Sequence, residues 1–141
     1  MSRLARIGVM AAMGALAVAP GVASAQTQEA TPTFAKDVMP IIQRSCQQCH
    51  RAGEIAPMSL MTYEEVRPWA RSIRARVSAR DMPPWHIDKT VGIQEFKDDP
   101  SLSDEEIDTI VSWIDGGAPL GNPADLPPAR EFVDTNAWQI G

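Results

Sequence analysis

The sequence contains two cysteines and two histidines among its 141 residues, so it offers few ligands for a structural metal ion. A structural zinc site usually takes four such side chains in a tetrahedron. The candidates are Cys46, Cys49, His50 and His86, and the adjacency of Cys49 and His50 suits one tetrahedral site poorly. A zinc-binding interaction module is therefore weakly supported by the sequence.

Strand-rich stretches and internal repeats are also missing. A CxxC pair that acts as a redox dithiol normally belongs to a strand–helix context of the βαβ type. No such context surrounds Cys46 and Cys49, and the apolar residues recur at helical spacing instead. We therefore expect an all-α fold. A plain disulfide between the two cysteines is a second weak alternative, because it leaves His50 unexplained.

One sustained apolar run is present, at residues 7–18, and it is shorter than the roughly 20 residues that a membrane helix needs. Arg3 and Arg6 precede the run, and Ala23-Ser24-Ala25 follows it as an A-x-A cleavage site. We predict that residues 1–25 are a secretory signal peptide. Its removal would leave a periplasmic or secreted protein with no stable membrane span.

The chain lacks an excess of basic residues, since its formal net charge is −5. Loss of the signal peptide removes two positive charges and gives −7 for the remaining 116 residues. This charge disfavours nucleic acid as a partner and makes a basic protein partner more natural. The remaining chain suffices for one small domain, whose limited core a large apolar cofactor would help to fill.

One stretch contains both cysteines and one of the two histidines: Cys46-Gln47-Gln48-Cys49-His50. Two thiols separated by two residues, with an imidazole directly after them, are typical of a c-type haem attachment site. The thiols add across the two haem vinyl groups, and the histidine becomes the proximal iron ligand. Export supports this interpretation, because it takes the chain to an oxidising compartment where such a haem can be attached.

The helical pattern places this motif directly after an apolar helix. Residues 26–32 are polar and predicted to be a disordered leader, and Thr33 is a good N-cap for the helix that follows. Pro40 should kink this helix or limit it to short pieces. Its predicted buried face consists of Phe34, Val38, Ile41 and Ile42.

Two capping boxes predict two further helices. The first begins at Thr62, with Glu65 as its partner, and Pro68 is expected to bend it. Its predicted apolar stripe consists of Val66, Trp69, Ala70, Ile73 and Val77. Its arginines predict a solvated face, or else a surface for a redox partner or for the haem propionates. The last helix begins at Ser103, with Glu106 as partner, and stops at Gly116-Gly117.

Residues 51–61 are predicted to be a loop on the proximal side of the haem. A carbonyl of this loop could accept a hydrogen bond from the His50 ring and fix its tautomer, as happens at other metal sites. We expect that carbonyl near Ala56 and Pro57. The alternative is a plain connector without this bond.

The segment after the second helix contains the candidate for the sixth iron ligand. Met82 lies on a loop stiffened by Pro83 and Pro84, and a Met/His pair raises the reduction potential. The alternatives are His86, or Met58 or Met61, which follow His50 too closely to cross easily to the other haem face. Trp85 and His86 are otherwise expected to line the pocket or to hydrogen-bond a propionate.

The order of these segments closely resembles class I, mono-haem cytochrome c across residues 33–119. The resemblance implies a small all-α fold of three to five helices around one covalent haem c, with the first and last helices crossing. It also implies thioethers at Cys46 and Cys49, with His50 and Met82 as axial ligands. Pro68 within a helix and the Trp85-His86 pair depart from ordinary cytochromes c.

More narrowly, residues 34–42, 53–60 and 82–86 resemble cytochrome modules found with copper ascorbate-dependent monooxygenase or other oxidoreductase domains. That catalytic domain is not part of this sequence. Residues 120–141 are predicted to be a proline-rich extension that either packs back on the domain or forms a junction with another domain.

These observations predict an electron carrier rather than an enzyme, which serves a periplasmic redox protein or an oxidoreductase domain. The iron, with His50 and Met82 as its ligands, would cycle between Fe(II) and Fe(III). The enzymatic alternative is a haem with an open or labile sixth site for peroxide or gas chemistry, with His86 as its acid–base group.

Overall fold

The structure is a computed structural model, and it describes residues 31–88, 90–92 and 95–133. These residues form helices joined by loops, with no strand among them, which confirms the all-α prediction at the level of secondary structure. The predicted signal peptide lies outside the described residues, as does most of the predicted leader.

The first helical segment is divided as the position of Pro40 predicts. A π-helical turn, Phe34–Val38, leads into α1, Met39–Ser45, and the proline lies in the first turn of α1. A proline is tolerated there because its missing N–H would have no helical partner at that point. Asp37 fixes the start of the segment by accepting hydrogen bonds from the backbone N–H and the hydroxyl of Thr33.

The second helical segment is also divided at its proline. Its pieces are α2, Tyr63–Val66, a 3₁₀ turn, Arg67–Trp69, and α3, Ala70–Ser78. The predicted capping box is present: Thr62 accepts from the Glu65 N–H, and the Glu65 carboxylate accepts from the Thr62 N–H. Three arginines pair with carboxylates at the surface, in the pairs Arg74–Asp115, Arg76–Asp81 and Arg80–Asp104. These pairs favour the solvated-face interpretation of the helix.

The last helix, α4, spans Asp104–Asp115 and carries the second predicted capping box, between Ser103 and Glu106. Gly117, with a φ of 92°, lies in the left-handed region that ends helices at low cost. The next two residues then run back over the helix, since the Ala118 N–H donates to the Trp113 carbonyl over 2.9 Å.

The core forms where the first segment meets α4, which also packs against α3. Phe34 and Trp113 are fully buried with their ring centroids 5.7 Å apart, and Phe34 meets the Tyr63 ring edge-on at 5.3 Å. Both polar aromatic groups are satisfied by the chain after α4: the Trp113 indole donates to the Pro119 carbonyl and the Tyr63 hydroxyl to the Ala118 carbonyl. This cluster anchors the helix that leads into the CxxCH motif.

Trp69 differs from the prediction. The apolar stripe places it with Val66, Ile73 and Val77, which are buried, but Trp69 is 43% exposed. The local 3₁₀ turn at Pro68 has a different rotation per residue from an α-helix, and Trp69 lines a surface cleft instead of the core.

The described part of the C-terminal extension packs back on the domain. The Phe34 N–H donates to the Pro119 carbonyl and the Ala35 N–H to the Leu120 carbonyl, both over 2.9 Å. A 3₁₀ turn, Pro123–Asp125, follows, and the chain then continues along α1 to Val133. The predicted apolar end at Trp138 and Ile140 lies outside the described residues.

In the part of the chain that the structure describes, no helix is long and apolar enough to cross a membrane.

Candidate functional site

The CxxCH motif forms a compact turn at the end of α1. The backbone N–H groups of Cys46 and Gln47 donate to the Ile42 carbonyl, and those of Cys49 and His50 donate to the Cys46 carbonyl. These bonds carry the helical direction into the motif and bring both thiols and the imidazole to one side of the turn, where all three line the same cleft.

This cleft has a volume of about 1490 Å³. It is larger than the ~300–1,000 Å³ of an ordinary small-molecule pocket and is mostly apolar, as a large planar cofactor requires. Its described walls come from the motif, the loop after it, α3 and the segment around Met82. The apolar wall includes Ile42, Leu60, Trp69, Ile73, Val77 and Trp85.

The His50 ring is fixed by the loop that follows it. Its Nδ1 lies 3.2 Å from the Met58 carbonyl oxygen. A carbonyl can only accept a hydrogen bond, so Nδ1 carries the proton and Nε2 of the neutral ring keeps its lone pair. The ring is therefore in the tautomer that a metal ligand bonding through Nε2 needs.

The bond to a loop carbonyl was predicted, but its position was not. We expected the acceptor near Ala56 and Pro57, whereas the structure has it at Met58. The register is set by two backbone bonds: the Ala56 N–H donates to the Cys49 carbonyl, and the Leu60 N–H to the His50 carbonyl. Together they leave the Met58 carbonyl opposite the ring.

The side chains of Gln47 and Arg51 hold the motif and the loop after it together. Gln47 is fully buried, and its amide N–H donates to the Leu60 carbonyl over 3.1 Å. Arg51 donates to the Gln48 carbonyl over 2.8 Å and pairs with Glu54 over 2.6 Å. Both ends of the loop are thus attached to the motif.

The two cysteines are free thiols. Burial raises the pKa of the Cys46 thiol to about 12, with the nearby Arg44 charge opposing the rise and Cys49 adding to it. A thiol with so high a pKa is protonated at neutral pH. Among the described residues, no group of three or more Cys, His, Asp or Glu side chains could hold a metal ion.

Met82 lines the same cleft, on the segment that follows α3. The N–H groups of Asp81 and Met82 donate to the Arg76 carbonyl, over 2.9 and 3.4 Å, and the prolines then direct the chain along the cleft. The Met82 side chain is 41% exposed. The motif and Met82 therefore come from separate walls.

The other candidates for the sixth ligand are Met58, Met61 and His86. Met58 lines the cleft, but its own carbonyl binds His50, so it belongs to the proximal wall. Met61 and His86 are not among the lining residues, and His86 is exposed. Of the predicted candidates, Met58 and Met82 line the cleft, and Met82 comes from the segment after α3 rather than from the loop that follows His50.

Trp85 lines the cleft as the sequence predicts, and its indole N–H is buried without a hydrogen-bond partner. An unpaired buried donor is costly, which indicates that it has a partner in the functional state. A propionate oxygen of a haem would supply one. The apolar cleft, the free Nε2 of His50 and this unpaired donor together suit the predicted cofactor.

Sequence reasoning missed four polar residues of the cleft wall: Arg44, Asp98, Asp99 and Arg130. Arg76, which also lines the cleft, is one of the arginines whose alternative role was a surface for the haem propionates. Arg130 belongs to the extension, 80 positions after His50, and no spacing in the sequence associates the two.

Comparison of the chain with known protein families, curated proteins and solved structures found no match.

Proposed function

We propose that this protein is a c-type cytochrome that carries electrons outside the cytoplasm. The observation that supports it best is the single apolar cleft that both thiols of the motif, the His50 ring and Met82 line together. A sequence motif alone does not require these distant residues to share a cavity.

In this proposal, Cys46 and Cys49 would hold the haem through thioethers, and His50 and Met82 would be the ligands of its iron. Bound haem supplies a one-electron couple, and a Met/His ligand pair raises its potential. The hydrogen bond to the Met58 carbonyl orients the His50 ring and increases its basicity. The apolar lining would lower the polarity around the haem, which also bears on the potential.

Electron transfer needs no acid–base residue at the iron, whereas peroxide chemistry does. The predicted acid–base candidate for the enzymatic alternative, His86, does not line the cleft. This favours the carrier over the enzyme. The acidic charge of the chain supports a basic redox protein or domain as its partner.

One observation favours the second candidate, a haem with a labile sixth site. Met82 is 41% exposed, so its wall of the cleft is open to solvent. A loosely held methionine would let a small ligand reach the iron.

The test is a visible spectrum of the exported protein through a cycle of reduction and oxidation, followed by carbon monoxide added to the reduced form. The carrier is expected to cycle reversibly, to show an Fe–S(Met) band when oxidised, and to bind carbon monoxide slowly or incompletely. Rapid, complete binding together with absence of that band would favour the labile-site enzyme instead.

A further inference from the structure

The C-terminal extension reaches the motif turn, although it is far from it in sequence. Residues 126–133, which we call the strap, run past the end of α1, and Arg130 of the strap lines the cleft. Neither the predicted haem site nor the predicted ligands include this segment.

Hydrogen bonds in both directions attach the strap to the last turn of α1. The Gln43 side-chain amide donates to the Pro128 carbonyl over 2.9 Å. The Arg130 guanidinium donates to the Gln43 carbonyl over 2.7 Å and reaches the Arg44 carbonyl at 3.5 Å. The last carbonyls of a helix lack intrahelical partners and gain from a nearby cation. Arg130 thus caps the helix that delivers Cys46.

The strap is also attached to the motif itself. The Phe132 ring stacks with two guanidinium groups, with the Arg51 carbon 4.1 Å and the Arg130 carbon 4.9 Å from its centroid. Arg51 directly follows His50 and donates to the Gln48 carbonyl between the two cysteines. A ring close to two cations gains from both. These contacts therefore connect the strap to both ends of the haem-attachment turn.

We propose that Arg130 and Phe132 are positioning residues for the haem-attachment turn, and that the strap closes the cleft at the edge where the cysteines lie. This inference rests on the proposed function for its redox consequence, but not for its mechanical one. Mechanically, the strap holds the end of α1 and residues 46–51 in place whether or not haem is bound.

The expected redox consequence of disrupting the strap is a lower reduction potential. Opening the edge of the cleft admits water, which stabilises the more highly charged Fe(III) form and lowers the potential. Removing the Arg130 cation lowers it further, because a nearby positive charge disfavours Fe(III). Each change is expected to shift the redox equilibrium against a fixed mediator about threefold, where tenfold corresponds to about 59 mV for one electron.

The experiment compares Phe132→Ala with Phe132→Tyr, and Arg130→Ala with Arg130→Lys, in the full chain. Glu131→Gln is the matched control, because Glu131 is exposed in the same segment. Amide hydrogen exchange is followed in residues 43–51 of the haem-free and haem-loaded protein, and the potential is measured on the loaded form. The ring-keeping Phe132→Tyr change should restore both readouts, and Arg130→Lys should restore the potential more than the exchange.

Faster exchange at residues 43–51 in Phe132→Ala, by about tenfold, with normal exchange in Phe132→Tyr and Glu131→Gln, supports the proposal. Faster exchange confined to the strap itself, with an unchanged potential, overturns it. If no variant and no wild-type protein takes up haem, the proposed function fails. The exchange in the haem-free chain then still decides the mechanical role of the strap.

Discussion

The two walls of the cleft differ in the hydrogen bonds that hold them in place. On the proximal wall, residues 46–60 are held by backbone bonds from Ala56 and Leu60, by the His50 ring and by the buried Gln47 amide. On the distal wall, the described backbone bonds of residues 81–85 run to Arg76 and within the segment, and the Met82 side chain is 41% exposed.

This difference separates a side of the cleft that the polypeptide fixes with its own bonds from a side that has few such bonds among the described residues. Local motifs close the proximal turn, because its hydrogen-bonded partners are at most 13 residues apart. The described backbone bonds of the distal wall run to α3 and within its own segment, so in the proposed haem protein its packing would depend on the haem. The proximal side should therefore tolerate loss of the cofactor, while the distal side should not.

The largest effect is expected from removing the attachment chemistry on the proximal wall. Cys46→Ala with Cys49→Ala should abolish covalent haem entirely, because no thioether can form. The measurement is haem staining of a denaturing gel after export. Gln48→Ala is the control, since Gln48 lies within the same turn but is exposed. Covalent haem that persists in the double variant would break the assignment of the proximal wall.

The support of the proximal wall can be tested next through the core. Trp113→Ala should reduce the free energy of unfolding by about 3–5 kcal/mol, as expected for a fully buried aromatic side chain. Trp69→Ala is the matched control, because Trp69 is 43% exposed and should lose much less. The measurement is urea unfolding followed by circular dichroism. Equal losses would show that the cluster around Trp113 does not hold the helix that leads into the motif.

The distal wall is tested by Met82→Ala. This variant should keep its covalent haem but lose the Fe–S(Met) band, gain rapid carbon monoxide binding and have a lower potential, because the thioether ligand favours Fe(II). Met61→Ala serves as control, since Met61 does not line the cleft. An unchanged spectrum in Met82→Ala would assign the sixth ligand to another residue.

A smaller effect on stability is expected at the end of the loop that follows His50, where Glu65 binds this loop. The Glu65 carboxylate accepts from the Ser59 hydroxyl and from the backbone N–H groups of Met61 and Thr62. These bonds, the Ser59 bond first, hold the Glu65 pKa below its ordinary value of 4.5, with burial opposing them. Because the folded-state pKa is lowered, the stabilisation is present above pH 4.5 and is lost as the pH falls through the folded-state value.

Thr62→Ala, which removes the cap of α2, should cost about 1 kcal/mol of unfolding free energy at neutral pH. Glu65→Gln should remove the acid-dependent part, so its stability should change less than that of the wild type between pH 6 and pH 3, values chosen to bracket 4.5. Urea unfolding at the two pH values measures both. Identical pH dependence in Glu65→Gln and the wild type would contradict the assigned role.

The elements that sequence reasoning predicted are those with local causes. Capping boxes at Thr62 and Ser103, and the division of the first segment at Pro40, depend on neighbours within a few residues. The bond from His50 was predicted in kind but assigned to residues 56–57 instead of Met58, because loop register depends on two backbone bonds that no residue type specifies.

What escaped prediction depends on distant packing. The position of Arg130 in the cleft wall follows from the path of the extension over α1, and the outward turn of Trp69 follows from a 3₁₀ turn at Pro68. Neither leaves a periodic signal in the sequence. The sharing of one cleft by His50 and Met82 was expected from a family resemblance, and the structure brings these two residues to its walls.

The central claim is tested most directly by a pyridine haemochrome spectrum of the exported protein, made with competent haem-attachment machinery and run beside a haem-stained denaturing gel. The account predicts a c-type spectrum with about one covalent haem per chain, bound through both cysteines. A protein that emerges folded and without covalent haem would contradict it, and Cys46 and Cys49 would then have to serve as a disulfide or a metal site.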